Sequence, residues 1–358
     1  MKILMLSHSD SMHGAERVFV TTAKILFEAG HQIYVVVPKA SSSGEMEKAL
    51  PDGIRFIRMD YKTVGNSLLR TLVVRLYNVP AEQQLCKFCR KEEIDLIYVS
   101  TWLTSIGSSV ARRIGLPLVW HIHEEPTRDF FWTDAHYLWM RRIMKKARII
   151  FISHRQRRLW EDALGLTLHA TIIYNPIQSI TVISRNHKGV TMGYLGSFSE
   201  RKNIGMLVHA FQTIHLKYPE TKLLLQGAVN EQEKNRYKGD GIEILPHSGD
   251  ISCFYQKIDI FVLPSFRETM PLVVPEAMQA GVPVIQTSQS GMNELFEHGE
   301  DTLFFDPYNE SNLIECMERL MDVDARQSIG TKGQNKVKRM IRLYDYRKEI
   351  LHRIKPFT

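Results

Sequence analysis

Glu268 and Glu276 stand with seven residues between them in the stretch Asp259–Thr287, DIFVLPSFRETMPLVVPEAMQAGVPVIQT. A carboxylate accepts hydrogen bonds from hydroxyl groups, so such a pair suits a polyhydroxylated ligand such as a ribose joined to a sugar. Two solvated glutamates flanking a turn fit the spacing equally well. Arg201 and Lys202 are a second candidate, two adjacent cations between a glycine-containing polar loop and a helix, where a phosphate finds charge and helix N–H groups together. In isolation a solvated pair is the simpler reading. His121 and His123 alternate onto one face of a strand and run into Glu124 and Glu125. They read as a satisfied pair at a strand end or, with the glutamates, as metal ligands. Gly14 lies in the polar loop HSDSMHG and is either a backbone lining a site or an ordinary turn glycine.

The elements that must carry these residues alternate strand and helix. Lys2–Ser7 is an apolar first strand, a helix runs from about Ala15 to Glu28, and His31–Pro38 is a second strand. Further strands are expected at Ile54–Met59, Asp95–Ser100, Leu118–His123 and Ala147–Ser153, the last of the first domain. Residues 66–93 read as helical with Pro80 breaking them, and Ser105–Arg113 as a helix stopped by Gly115. A linker is expected at about 177–188. After it, Val190–Gly196 opens a second strand series with a helix at about 204–217, and Lys222–Gly227 and Gly241–Leu245 are strands. Ile260–Leu263, the helix Leu272–Gln279, the C-cap Gly281 and the strand Val282–Gln286 form a strand–loop–helix–strand unit. Pro275 removes an N–H early in that helix. Helices over 309–321 and about 324–353 close the chain.

With 358 residues, 44% hydrophobic and 24% charged, the chain suits two soluble domains, each with its own core. No apolar run reaches the ~20 residues that span a bilayer. The start, MKILMLSHSD, turns polar after six residues, so no secretory signal and a cytoplasmic protein are expected. Cys86 and Cys89 read as reduced thiols on one helix face, and Cys253 and Cys316 as lone residues in apolar settings. The net charge of +7 belongs to the first half: 25 Lys and Arg stand against 17 Asp and Glu up to Arg185, and 21 against 22 after it. Residues 130–158 are the most unusual part, with Phe130, Phe131, Trp132, Tyr137 and Trp139 followed by eight basic and no acidic residues between Arg141 and Arg158. Tyr137, Met140, Ile143 and Met144 recur at helical spacing. That stripe either packs on the sheet or docks on an anionic membrane surface. No nucleic-acid recognition module occurs in the sequence.

The motifs resemble those of the retaining glycosyltransferases of GT-B fold with the E-x7-E signature, family 4 or "glycosyl transferases group 1". Family members read E-G-F-G-L-x-x-L-E-A-M and then A-x-G-x-P-V. This chain has both glutamates, Leu272, Ala277, Met278, Gly281 and Pro283, with Thr269 and Pro271 where the motif has glycines. The G-G-A-E-R opening is similar to His13-Gly14-Ala-Glu-Arg17, and G-S-x-x-x-R-K-G is similar to Gly196-Ser197 through Arg201-Lys202. His123-Glu124 stands where the family has V-x-T-x-H-D, and Ser290–Leu295 resembles G-G-x-x-E-L.

The resemblance implies an α/β protein of two Rossmann-like domains facing across a cleft, 1–178 and 188–339, with 340–358 packing back onto the first. It implies transfer of a sugar from a nucleotide-sugar donor to a sugar or lipid-linked acceptor, with retention, in surface polysaccharide or glycolipid assembly. Catalytic roles fall to His123, Arg201, Lys202 and Glu268. Donor-binding roles fall to Gly14, Arg201, Lys202, Glu268, Met270, Pro271, Leu272 and Glu276, with no metal and no cofactor. Arg201 and Lys202 would hold the diphosphate, Glu268 the donor sugar, Glu276 the ribose, and Gly14 the cleft wall. His121 stays structural. A sugar-nucleotide epimerase on the same fold, or a non-catalytic nucleotide-sugar or membrane-surface binder, is the alternative. The location implied is cytoplasmic, with residues 130–158 as the contact to the inner face of the cell membrane.

Overall fold

The computed structural model describes residues 1–41, 43–63, 68–126, 140–180, 189–246, 248 and 251–355, without side chains at 68–72. The aromatic residues Phe130, Phe131, Trp132, Tyr137 and Trp139, and linker residues 181–188, lie outside the described residues. The chain forms two compact units, Met1–Pro176 with Tyr346–Thr358, and Ile177–Asp345.

The N-terminal unit is built on a parallel sheet in the order β3-β2-β1-β4-β5-β6-β7. Its strands are β1 (Lys2–Leu6), β2 (Gln32–Pro38), β3 (Arg55–Met59), β4 (Leu96–Ser100), β5 (Leu118–Ile122), β6 (Arg148–Phe151) and β7 (Ala170–Ile172). β4 and β5 are buried at every position, as apolar runs in a sheet covered on both faces must be. Helices α1 (Gly14–Glu28), α2 (Glu45–Ala49), α3 (Leu68–Glu92), α4 (Ser105–Ile114) and α5 (His154–Leu164) connect them. The C-terminal unit repeats the plan in the order β10-β9-β8-β11-β12-β13, also parallel. Its strands are β8 (Thr191–Leu195), β9 (Lys222–Gly227), β10 (Ile242–Pro246), β11 (Ile260–Leu263), β12 (Val284–Thr287) and β13 (Leu303–Phe305), and its helices include α6 (Ile204–Lys217), α7 (Glu231–Tyr237), α8 (Ser252–Tyr255), α9 (Val273–Gln279), α10 (Glu310–Met321) and α11 (Val323–Leu343). In each sheet the strand order reverses once, between β1 and β4 and between β8 and β11. Loops leaving the carboxyl ends of those strands diverge there, which is where open α/β sheets hold ligands.

Four sequence expectations change. Pro80 does not break α3, which runs 25 residues through it. Proline removes its own N–H and crowds the Leu76 carbonyl four residues back, yet α3 continues through it at an exposed stretch, the Leu76 side chain being 75% exposed, where water can serve that carbonyl. Arg148–Phe151 is not the last strand of its sheet, because β7 adds an edge whose three residues are too short to announce a strand. The closing helix is two: α11 ends at Leu343, and α12 (Tyr346–Arg353) packs on α1, with the Tyr346 hydroxyl 2.7 Å from that of Thr22 and Arg347 paired with Glu28. Cys253 is exposed, whereas Cys86, Cys89 and Cys316 are buried free thiols, and burial pushes the Cys89 thiol up to about 12.

Residues 140–144 are helical. Met140, Ile143 and Met144 belong to the N-terminal core, beside the packed indoles of Trp102, Trp120 and Trp160. The described part of that apolar stripe thus packs inward, and Arg142, Lys145 and Lys146 face solvent.

Candidate functional site

At the switch point of the C-terminal sheet two loops meet. The loop from β8 to α6 carries Arg201 and Lys202 in the 3₁₀ turn Glu200–Lys202. The loop from β11 to α9 carries Glu268. Gly196 opens the first loop, and a Cβ built on Gly227 at the end of β9 would lie 1.8 Å from the Gly196 carbonyl, so only glycine fits there. The Tyr194 hydroxyl donates to the Ser197 carbonyl at 2.6 Å, the Phe266 N–H to the Arg201 carbonyl at 3.0 Å, and the Asn203 amide to the Pro307 carbonyl at 3.2 Å. Asn203 adopts a left-handed conformation that ends the turn and starts α6. The second loop is pinned as an isolated parallel bridge: Glu268 N–H donates to Gln289 and Gly291 N–H to Glu268, at 2.9 and 3.0 Å.

These anchors bring the charges together. Lys202 Nζ lies 2.5 Å from Glu268 Oε1, Arg201 Nη1 lies 3.4 Å from Oε2, and the Ser265 hydroxyl donates to Oε1 at 2.6 Å. Glu268 is buried, which alone would raise its carboxyl. Lys202 and Arg201 outweigh burial and hold it below the ordinary range. The site is therefore a buried anion between two cations, one of which, Arg201, is half exposed. The uncapped N-terminus of α6, with no acidic residue in its first turn, adds partial positive charge beside them.

Glu276 sits in α9, buried at 3% exposure, and accepts from the Tyr255 hydroxyl at 3.2 Å. Pro275 costs this helix nothing, because it is the third residue, where the N–H has no intrahelical partner. Gly281 at φ +67° terminates α9, its N–H and that of Val282 donating to Met278 and Ala277. Met270 is buried, and Pro271 and Leu272 are half-buried, on the segment between Glu268 and the helix.

In the N-terminal unit the loop after β1, at the switch point, carries Gly14, and the loop after β5, the neighbour of β4, carries His123. Gly14 is the first residue of α1, and a Cβ built there would meet nothing within 4 Å, so its surroundings do not demand glycine. The loop before it is organised by Glu16, buried at 3%, which His8 approaches at 3.1 Å and to which Ser9 and Ser11 donate. Asp10, fully buried, ties the same loop to Ser41, Ser43, Gly44 and Arg58, and these partners hold its carboxyl far below the usual range against burial. His123 follows β5, and neither ring nitrogen has a hydrogen-bond partner among the described residues. Burial, then His8, pushes its pKa down to about 3, so the ring is neutral at pH 7. His121 packs at 4.2 Å between ring centroids and bonds the Tyr98 hydroxyl at 2.6 Å, a structural role.

The carboxylates that a metal reading of the histidines requires are used elsewhere. Glu124 accepts from the N–H groups of Trp102 and His123, and Glu125 pairs with Arg155. Among the described residues no group of three His, Cys, Asp or Glu is placed to hold a metal ion.

Sequence reasoning placed Arg201, Lys202 and Glu268 correctly on two loops without indicating that they touch. It missed Ser265, Tyr255 and Asp10, whose short-range surroundings carry no pattern beyond an ordinary loop or helix, and it quoted Glu16 within the His13–Arg17 motif without giving it a role.

Two family models match: "Glycosyltransferase Family 4" over residues 12–179 and "Glycosyl transferases group 1" over 189–323. An uncharacterised glycosyltransferase of Haemophilus influenzae is 27% identical over 186 residues, 49% of this chain and 52% of that protein. The capsular polysaccharide biosynthesis glycosyltransferase CapM of Staphylococcus aureus is 29% identical over 154 residues, 41% of this chain and 40% of that protein. The matched stretch thus spans about half, or less, of those two relatives. An Escherichia coli UDP-Gal:α-D-GlcNAc-diphosphoundecaprenol α-1,3-galactosyltransferase is 22% identical over 361 aligned positions, covering 91% and 89%. Among solved structures, Anabaena Alr3699/HepE with UDP and glucose superposes at TM-score 0.78, 19% identity and 98% coverage of both chains, and WaaG at 0.77, 15% and 100%. By its two domain matches and its fold, the chain belongs to the GT-B glycosyltransferases.

Proposed function

We propose that this glycosyltransferase takes a nucleotide sugar as donor, transfers the sugar with retention at the anomeric carbon, and holds the donor on its C-terminal unit. The observation that carries this reading is the buried Glu268 carboxylate between Lys202 and Arg201 at the carboxyl ends of β8 and β11. A diphosphate offers those cations new partners and meets the N-terminus of α6. Glu268 is then released to accept hydrogen bonds from the donor sugar, and Glu276 with Tyr255 takes the ribose. Negative charge grows on the diphosphate as the glycosidic bond breaks, so Lys202, Arg201 and the helix dipole act most strongly at that moment. The departing phosphate takes the acceptor hydroxyl's proton. His123, neutral and without a hydrogen-bond partner among the described residues, suits a hydroxyl of the acceptor. The cations of the chain occupy the place a metal would take, so the reaction needs none.

The names of two relatives point to surface glycans: CapM serves capsular polysaccharide biosynthesis and the E. coli enzyme acts on a diphosphoundecaprenol-linked sugar. We assign this chain to surface polysaccharide or glycolipid assembly at the inner face of the cell membrane. A thermal-shift panel of UDP-, GDP- and ADP-sugars identifies the donor, and proton NMR of the product reads the anomeric coupling. Retention is expected; an inverted product overturns the mechanism. A donor bound but never consumed would support a binding protein, the reading that Thr269 and Pro271 in place of motif glycines favour.

A further inference from the structure

His8 and Glu16 have no part in the chemistry proposed above. Glu16, buried in the first turn of α1, gathers three donors on one oxygen: His8 Nε2 at 3.1 Å, the Ser11 hydroxyl at 3.2 Å and the Ser9 hydroxyl. A carboxylate has no hydrogen to give, so the His8 nitrogen facing it carries one, and in the neutral ring Nδ1 is then a bare acceptor. The side chain is 22% exposed, but Nδ1 itself is turned into the protein and has no hydrogen-bond partner among the described residues. Ser7 Oγ, Ser100 Oγ, His121 Nε2 and both nitrogens of His123 are likewise buried and unpartnered there. The sheet puts these groups together: Ser100 is the register partner of His121, and Ser7 follows Leu6, the partner of Val99. His8 lies close enough to His123 to disfavour its protonation. Buried polar groups are ordinarily paired, so a row of unpaired ones at the carboxyl ends of β1, β4 and β5 marks a place built for a ligand's polar atoms.

Charge decides the class of that ligand. Among the described residues no lysine or arginine pairs with Glu16 or with Glu124, which accepts from the N–H groups of Trp102 and His123. A phosphate would meet carboxylates there and no pairing cation, whereas a hydroxyl gives and accepts hydrogen bonds without bringing charge. We propose that His8, oriented by Glu16, is a specificity-determining residue for the acceptor: its Nδ1 accepts a hydrogen bond from a hydroxyl of a neutral sugar, next to the hydroxyl that attacks. The attacking hydroxyl gives its own proton to the departing phosphate, so His8 takes a different one. The inference rests on the glycosyl transfer proposed above and names the chemistry of its acceptor.

Two variants separate the two ring nitrogens. His8→Gln places an amide near Nε2, towards Glu16, and leaves nothing at Nδ1; His8→Asn places an amide near Nδ1 and leaves Glu16 short of a donor. The full chain is given the donor found in the thermal-shift panel together with methyl glycosides of glucose, galactose and N-acetylglucosamine, and transfer is measured against hydrolysis. A loss of folded protein lowers both products together, so their ratio reads the contact. Wild type should transfer to at least one glycoside. His8→Gln should lower the ratio about 10–100-fold, the effect of leaving one buried hydroxyl unpaired, and His8→Asn should keep most of it. In ring-nitrogen NMR of the wild type, neutral His8 should carry its hydrogen on Nε2. A hydrogen on Nδ1, an unchanged ratio in His8→Gln, an equal loss in His8→Asn, or transfer by the wild type to none of the glycosides overturns the inference. Donor left uncleaved by the wild type overturns the glycosyl transfer itself, and donor cleaved without these differences overturns this inference alone.

Discussion

Replacing Lys202 by methionine keeps the length of the side chain and removes the charge that lies closest to Glu268. Exposed ion pairs contribute about 0–1 kcal/mol, whereas removing one partner of a buried pair costs about 3–5 kcal/mol. Here the two side chains are 15% and 8% exposed, and Arg201 remains at 3.4 Å, though half in water. The structure therefore calls for a loss of about 2–3 kcal/mol at pH 7, or roughly 5–10 °C in the melting of the C-terminal unit. The pH dependence follows from Glu268. Its folded pKa is depressed, so its stabilisation is present above the unfolded value of 4.5 and is lost as pH falls through the folded value. The gap between wild type and variant should then be widest near neutral pH and should narrow in acid. Adding Glu268→Gln removes the orphaned charge, so Lys202→Met/Glu268→Gln should regain most of the loss. Circular dichroism melts of wild type, both single variants and the double variant decide it. A single Lys202→Met variant melting within about 1 °C of wild type, or a double variant no more stable than it, refutes the coupling.

Other consequences are independent. His123 binds its proton in the unfolded chain near 6.5 and in the folded one only near 3, so it destabilises the N-terminal unit as pH falls across that window, at roughly 1.4 kcal/mol per pH unit. His123→Gln should flatten that dependence by about one proton in urea titrations, and an unchanged slope contradicts the assignment. Glu276→Ala should raise the donor dissociation constant at least about tenfold while leaving saturated turnover nearly intact, because ribose contacts are the same in ground and transition states; equal loss in both would place Glu276 at the reacting bond. Activity should survive EDTA, and loss restored by Mn²⁺ would return a metal to the mechanism.

The alternation of apolar strands with amphipathic helices was legible because both sheets are parallel and buried, so each strand is a short apolar run closed by a turn. What escaped were elements set by tertiary context. β7 is three residues long, and the break at Tyr344 arises where the buried residues change partner from the C-terminal core to α1. Pro80 was overread: α3 continues through it along an exposed stretch, where water can serve the freed Leu76 carbonyl. At the site, the resemblance to the family's motifs singled out Glu268, Arg201 and Lys202, where spacing alone left solvated residues as likely, but contact across 66 residues of sequence is written in the sheet order, not in either loop. Of the two readings of residues 130–158, packing on the sheet holds for Met140, Ile143 and Met144, which lie in the core, and the aromatic residues before them lie outside the described residues.

The central claim is that Lys202 stabilises the departing diphosphate, and single-turnover donor cleavage by Lys202→Met, with donor affinity measured separately by calorimetry, tests it most directly. Measurements belong well below the variant's melting temperature, with folding verified by circular dichroism. Turnover should fall by ~10²–10³ while the donor dissociation constant changes by less than about tenfold. Turnover within a factor of about three of wild type would contradict the account.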